Sequence, residues 1–129
     1  MNAFVIDAFA WVEYFNGTQI GEKVKEIVEN EKNKITSNVI TIAELASYFS
    51  RHNKNFDEVK KIVLSLSSIY HIPIEFAEKA GKLHTELRKE RKHMGLADIF
   101  VLLTARELQS KVVTGDEDFR GLKEALMIK

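Results

Sequence analysis

Four acidic residues, Asp7, Glu44, Asp98 and Asp116, each stand at the edge of an apolar segment, where a strand or helix starts or stops. Acids placed that way can converge in the folded chain, and four converging carboxylates demand a divalent cation. Without one, repulsion raises their proton affinity. The chain has no cysteine, and its four histidines, His52, His71, His84 and His93, are scattered. A carboxylate set without histidine or thiolate suits hard Mg²⁺, which keeps several waters, better than zinc.

Such convergence has to be built by the elements that carry the acids. Ala3-Phe4-Val5-Ile6 is a short β-favouring run ended by Asp7, and Ala8 to Phe15 continues with helical spacing through Phe9, Val12 and Phe15. Ile20, Val24, Ile27 and Val28 share one face of a second, amphipathic helix. Ile35 to Ile40 reads as a strand, and Thr41-Ile42-Ala43-Glu44 has the capping-box form that opens a helix through Leu45, Ala46 and Phe49. Phe56, Val59, Ile62, Val63 and Leu66 form another stripe, followed by a strand from Ile69 to Ile74 near Pro73. A long charged helix runs from Glu75 to about Lys92, with Phe76, Ala80, Leu83 and Leu87 inward, until Gly95 breaks it. Leu96 to Leu108 is an unusually apolar helix, Lys111 to Thr114 a strand and Gly115-Asp116 a turn. A short helix around Leu122 and a strand at Leu126-Met127-Ile128 close the chain.

Strands separated by helices imply parallel pairing through right-handed crossovers. The expectation is an α/β fold, a three-layer α/β/α sandwich with a mostly parallel central sheet. Sites in such sheets lie beyond the carboxyl ends of the strands. Asp7 and Asp116 end strands there, Glu44 joins from the first turn of a helix leaving that edge, and Asp98 joins if its helix end faces the same way.

Composition sets the outer bounds. The length of 129 residues fits one domain, 1–129, and 45% hydrophobic with 29% charged residues excludes a disordered chain. Nineteen basic against nineteen acidic residues give zero net charge, so bulk electrostatics selects no nucleic-acid or membrane partner. The absence of cysteine fits a reducing, cytoplasmic setting. The start, Met1 to Phe15, carries Asp7 and Glu13 without a basic region and reads poorly as a signal peptide, and no apolar run approaches the roughly 20 residues of a membrane span.

Each acid also has a plain structural reading. Asp7 suits the N-cap of the helix at Ala8, Glu44 the capping box with Thr41, Asp98 the helix dipole, Asp116 a turn, and Asp118 the N-cap of the segment after it. The ordered combination carries more. Val5-Ile6-Asp7, Thr41-x-x-Glu44-Leu45, Leu96-Ala97-Asp98-Ile99 with Thr104-Ala105, and Thr114-Gly115-Asp116-x-Asp118-Phe119 resemble the acidic motifs of the PIN-domain family, in the length and order of its VapC-type toxins. The resemblance spans nearly the whole chain. It implies a metal-dependent endoribonuclease with Asp7, Glu44, Asp98 and Asp116 around Mg²⁺ or Mn²⁺, Asp118 in a supporting place and the Thr114 hydroxyl helping to hold the site. It also implies a homodimer and a cognate VapB-type antitoxin. Phe9 departs from the small polar residue that many relatives carry near the first acid.

An RNA would approach these acids against phosphate repulsion, and Arg51 and Lys54, with Arg88, Lys89, Arg91 and Lys92, could supply the countercharge. Glu86 and Glu90 lie among the second group at helical spacing, so a solvated, ion-paired helix face explains it equally. Trp11, Tyr14 and Phe15 read as core. Two other readings stand beside the nuclease. An aspartate-phosphorylating α/β protein wants a second Asp two positions after the first, where Phe9 stands, or an acidic pair before it, where Asp7 is alone. A non-catalytic RNA- or protein-binding module would use the acids as caps only. Without an antitoxin, a housekeeping RNA-processing nuclease remains.

Overall fold

Apolar β-branched runs separated by amphipathic stripes can bury all their surface only with helices on both faces of a sheet. The computed structural model, which describes residues 2–129, has that architecture. Met1, the first residue of the apolar start, lies outside the described residues. The elements run β1 (Ala3–Ile6), α1 (Ala8–Asn16), α2 (Gln19–Val28), β2 (Lys34–Asn38), α3 (Val39–Arg51), α4 (Phe56–Leu66), β3 (Ser68–Tyr70), α5 (Ile74–Leu87), α6 (Leu96–Glu107), β4 (Lys111–Thr114), a short 3₁₀ turn (Glu117–Phe119) and β5 (Ala125–Met127).

The five strands lie in the order β3-β2-β1-β4-β5, and every pairing is parallel. β1 is central, with Val5 opposite Val112 and Ile6 opposite Val113. Strand alternation then sorts the core into two layers. Ile6, Ile35 and Val113 pack with Trp11, Val24, Leu45, Phe49 and Val63 beneath α1 to α4. Val5 and Val112 pack with Phe76, Ile99, Leu102 and Phe119 beneath α5 and α6. The α1–α2 hairpin is tight because Gly21 lies against the Glu13 carbonyl, where a Cβ has no room.

Several boundaries differ from the sequence reading. The strand read over Ile35 to Ile40 ends at Asn38, whose Oδ1 accepts the Ile40 N–H at 2.7 Å, so α3 begins at Val39. The β-branched Val39-Ile40 resembled strand, yet an Asn N-cap starts the helix before them. Thr41 is therefore a buried interior residue rather than a cap, and Glu44 stands in the second turn. α5 stops at Leu87 rather than near Lys92, because the stripe of Phe76, Ala80, Leu83 and Leu87 has only Glu90 and Arg91 to follow it. The strand at Ile69 is limited to Ser68–Tyr70, since Ile74 is the first residue of α5. The last short helix forms at Glu117–Phe119, not around Leu122, where Gly121 at φ 91° turns the chain.

Candidate metal centre

Asp7 leaves β1 in extended conformation and caps α1: its Oδ1 accepts the Ala10 N–H at 2.8 Å, and its own N–H donates to the Val113 carbonyl at 3.3 Å. Capping explains its place in the chain but not its surroundings. The side chain is buried, and loss of hydration raises its pKa from 3.8 to about 7. Bonds from the Thr114 hydroxyl and the Ala10 N–H oppose that rise, while the charges of Asp116 and Asp98 add to it.

Thr114 ends β4 fully buried, and its Oγ1 also accepts the Asp116 N–H at 3.0 Å. One hydroxyl thus ties the first acid to the loop carrying the last. Gly115 permits the turn because the Phe9 ring occupies the space of a Cβ. Asp116 then caps the 3₁₀ turn, its Oδ1 accepting the Asp118 N–H at 2.9 Å, so it and not Asp118 is the cap. From the α5–α6 loop, Arg91 Nη1 donates to the carbonyls of Asp118 (2.8 Å) and Arg120 (2.9 Å).

α6 leads through a tight turn into the amino end of β4, so its own first turn lies at the carboxyl edge of the sheet. There Asp98 Oδ2 accepts the Gly95 N–H at 3.0 Å. Desolvation raises the Asp98 pKa to about 6, Gly95 opposes it, and Asp116 and Asp118 raise it further. Asn38, at the end of β2, fixes α6 by donating from Nδ2 to Thr104 Oγ1 at 2.7 Å. Glu44 reaches the rim from α3, and its pKa is raised by partial loss of hydration and then by Asp98 and Asp116.

Asp98, Asp116 and Asp118 each offer a carboxylate oxygen within 4.8 Å of the other two. Asp7 and Glu44 stand outside this tightest group but feel the charges of both Asp98 and Asp116. An all-oxygen donor set, half-buried and backed by a carboxylate that burial holds near neutrality, fits a hard divalent cation. The four acids singled out by sequence share one rim, and Asp118, given a supporting place there, is one of the three closest. The i, i+2 pair in Thr114-Gly115-Asp116-Glu117-Asp118 was the available signal. Asn38 and Arg91 were missed as holders of the site; Asn38 was legible as an N-cap, whereas the reach of Arg91 across 27 residues was not.

The basic residues divide. Arg51 lies two turns beyond Glu44 on α3 and donates to Ser47 Oγ. Lys54 donates to Asn16 Oδ1 at 3.0 Å and lies 5.8 Å from the centre of the Phe49 ring. Arg88 bonds the Lys92 carbonyl, and Lys89 pairs with Glu86. Trp11 is core, its Nε1 donating to Ser37 Oγ at 2.9 Å. Among the described residues no helix is long and apolar enough to cross a membrane.

The family model of the PIN domain matches residues 4–125. No curated protein matches the chain. Among solved structures, the chain is similar to a toxin–antitoxin complex from Klebsiella pneumoniae (21% identity, 97% of each chain covered, TM-score 0.70). It is similar to VapBC2 from Rickettsia felis bound to a DNA fragment of the promoter (20% identity, 97% and 96% covered, TM-score 0.73). It is also similar to VapC20 of Mycobacterium tuberculosis, a toxin that cleaves the sarcin-ricin loop (13% identity, 94% and 95% covered, TM-score 0.77).

Proposed function

The chain belongs to the PIN-domain family, and from that premise we propose that it is a metal-dependent endoribonuclease, the toxin of a VapBC-type pair. The observation that carries the reading is the group of Asp98, Asp116 and Asp118 oxygens within 4.8 Å, with Asp7 and Glu44 coupled to it. The nuclease domain spans 1–129 and works in the cytoplasm.

Asp7, Glu44, Asp98 and Asp116, with Asp118, would hold Mg²⁺ or Mn²⁺. Such a cation supplies phosphodiester hydrolysis with an activated water and with charge to offset the developing negative oxygens. The protein's own residues prepare the site. Thr114 fixes the Asp7 carboxyl and the Asp116 backbone together, and Asn38 fixes the helix that carries Asp98. Glu44, exposed on α3, would ligate the cation or orient the attacking water. Asp7 would have to give up its proton to serve as a ligand, since a hard cation takes the carboxylate form. Arg51, Arg88, Lys89 and Lys92, with Lys54, meet the RNA backbone, while Arg91 is engaged with two carbonyls of the acidic loop.

Homodimerisation and capture by a VapB-type antitoxin complete the reading; the Rickettsia felis and Klebsiella pneumoniae assemblies support it by fold. The test is cleavage of a mixed-sequence single-stranded RNA with Mg²⁺, Mn²⁺ or chelator, alongside Asp98→Asn. Cleavage that needs metal and disappears in the variant supports the nuclease. Intact RNA, together with metal binding unchanged in Asp98→Asn, would replace it with a non-catalytic binding module. A metal-dependent nuclease with no antitoxin-like reading frame beside its gene would be a housekeeping enzyme.

A further inference from the structure

A cavity of about 370 Å³ opens between α1 and α3 beside the acidic rim, within the roughly 300–1,000 Å³ of small-molecule pockets. Its walls include Phe9, Val12, Glu13, Glu44, Tyr48 and Arg51. Glu44 belongs to both places: it lines the cavity, and its carboxyl feels Asp98 and Asp116. Whatever fills the cavity therefore lies one side chain from the acids.

The wall chemistry narrows the occupant. Phe9 and Tyr48 give an aromatic lining and Val12 an aliphatic one, which suits a flat ring system. Glu13 and Glu44 add carboxylates, which accept hydrogen bonds from an exocyclic amine. Arg51 adds the guanidinium that pairs with a phosphate. Aromatic walls, carboxylate acceptors and one cation together describe a nucleotide rather than an aliphatic chain.

We infer that this cavity is a nucleobase subsite, which takes the base beside the scissile phosphate and favours adenine, cytosine or guanine, each with an exocyclic amine, over uracil, which has none. The inference rests on the ribonuclease reading and adds to it a determinant of where the RNA is cut.

Two measurements test it separately from that reading. In the first, the wild-type protein in chelator is titrated with AMP, CMP, GMP and UMP while the ring resonances of Phe9 and Tyr48 are followed by NMR. The expected result is a saturable shift of both rings, with UMP weaker by about fivefold or more and Tyr48→Leu weakened for all four. In the second, cut sites in a randomised single-stranded RNA with Mg²⁺ are mapped for wild type and Tyr48→Leu. One position flanking the cut should be depleted of uracil in wild type, and that bias should fall by about threefold or more in the variant while cutting persists. Absence of a saturable shift with any nucleotide overturns the inference whatever is cut, as does an unchanged base profile in Tyr48→Leu. RNA left intact while the nucleotides shift both rings, with metal binding unchanged in Asp98→Asn, would instead overturn the ribonuclease reading and leave a nucleotide site on a non-catalytic module.

Discussion

Asp7→Asn should stabilise the metal-free protein at pH 8 and change it little at acid pH. A buried acid whose pKa rises from 3.8 to about 7 on folding holds, between those values, a proton that the unfolded chain has already released. Stability therefore falls as pH rises through that window and levels off above about 7. The shift of about three units corresponds to about 4 kcal/mol in full, of which roughly 3 kcal/mol falls between pH 5 and pH 8. Asparagine keeps the cap to the Ala10 N–H, being as good an N-cap as aspartate, and removes the charge. Urea denaturation in chelator at pH 5 and pH 8 reads the difference between variant and wild type at each pH. Asp7→Asn should gain roughly 2–3 kcal/mol relative to wild type on going from pH 5 to pH 8. Saturating Mg²⁺ should narrow the difference at pH 8, because the Asp7 carboxylate adds to the charge that would hold the cation and asparagine does not. A variant destabilised equally at both pH values, or a wild type as stable in chelator at pH 8 as at pH 5, would refute the argument that burial of Asp7 opposes folding until a cation offsets it.

The same protonation governs loading: with Asp7 at about 7 and Asp98 at about 6, both raised, Mn²⁺ affinity measured by calorimetry should climb from pH 5.5 to pH 7.5 and flatten above, and a pH-independent affinity would exclude both carboxyls as ligands. Arg91→Ala removes the bonds to the Asp118 and Arg120 carbonyls, so Mn²⁺ binding should weaken by about tenfold, with partial recovery in Arg91→Lys. Unchanged affinity would limit Arg91 to a structural role. Gly115→Ala drives a methyl into the Phe9 ring and should lower stability by about 1–3 kcal/mol in chelator, and adding Phe9→Leu should restore part of it. An additive double variant would show that the two residues are not in contact.

Periodicity and turn chemistry along the chain determine most of the fold. Alternating β-branched runs and amphipathic stripes require a layered parallel sheet, and the acids at element edges locate the working rim, because in such a sheet every strand-to-helix turn gathers at one edge. The ordered acidic motifs likewise point to the family. Boundaries are less legible. Val39-Ile40 has strand-like residues and becomes helix because the Asn38 side chain captures the Ile40 N–H, a choice made by one hydrogen bond rather than by propensity. The length of α5 depends on where its apolar stripe loses its partner surface.

Residue types and local spacing pointed to a carboxylate-rich, anionic site, and a composition without cysteine leaves no thiolate to join it. Tertiary structure decided which oxygens lie close together: Asp98 joins Asp116 and Asp118 because α6 returns to β4 and is fixed through Asn38 and Thr104. It also decided the protonation of Asp7, which depends on how completely neighbouring elements exclude water from one carboxyl. It placed the Glu44 cavity between α1 and α3 as well. Distances and burial between residues far apart in sequence are properties of packing, and no local pattern encodes them.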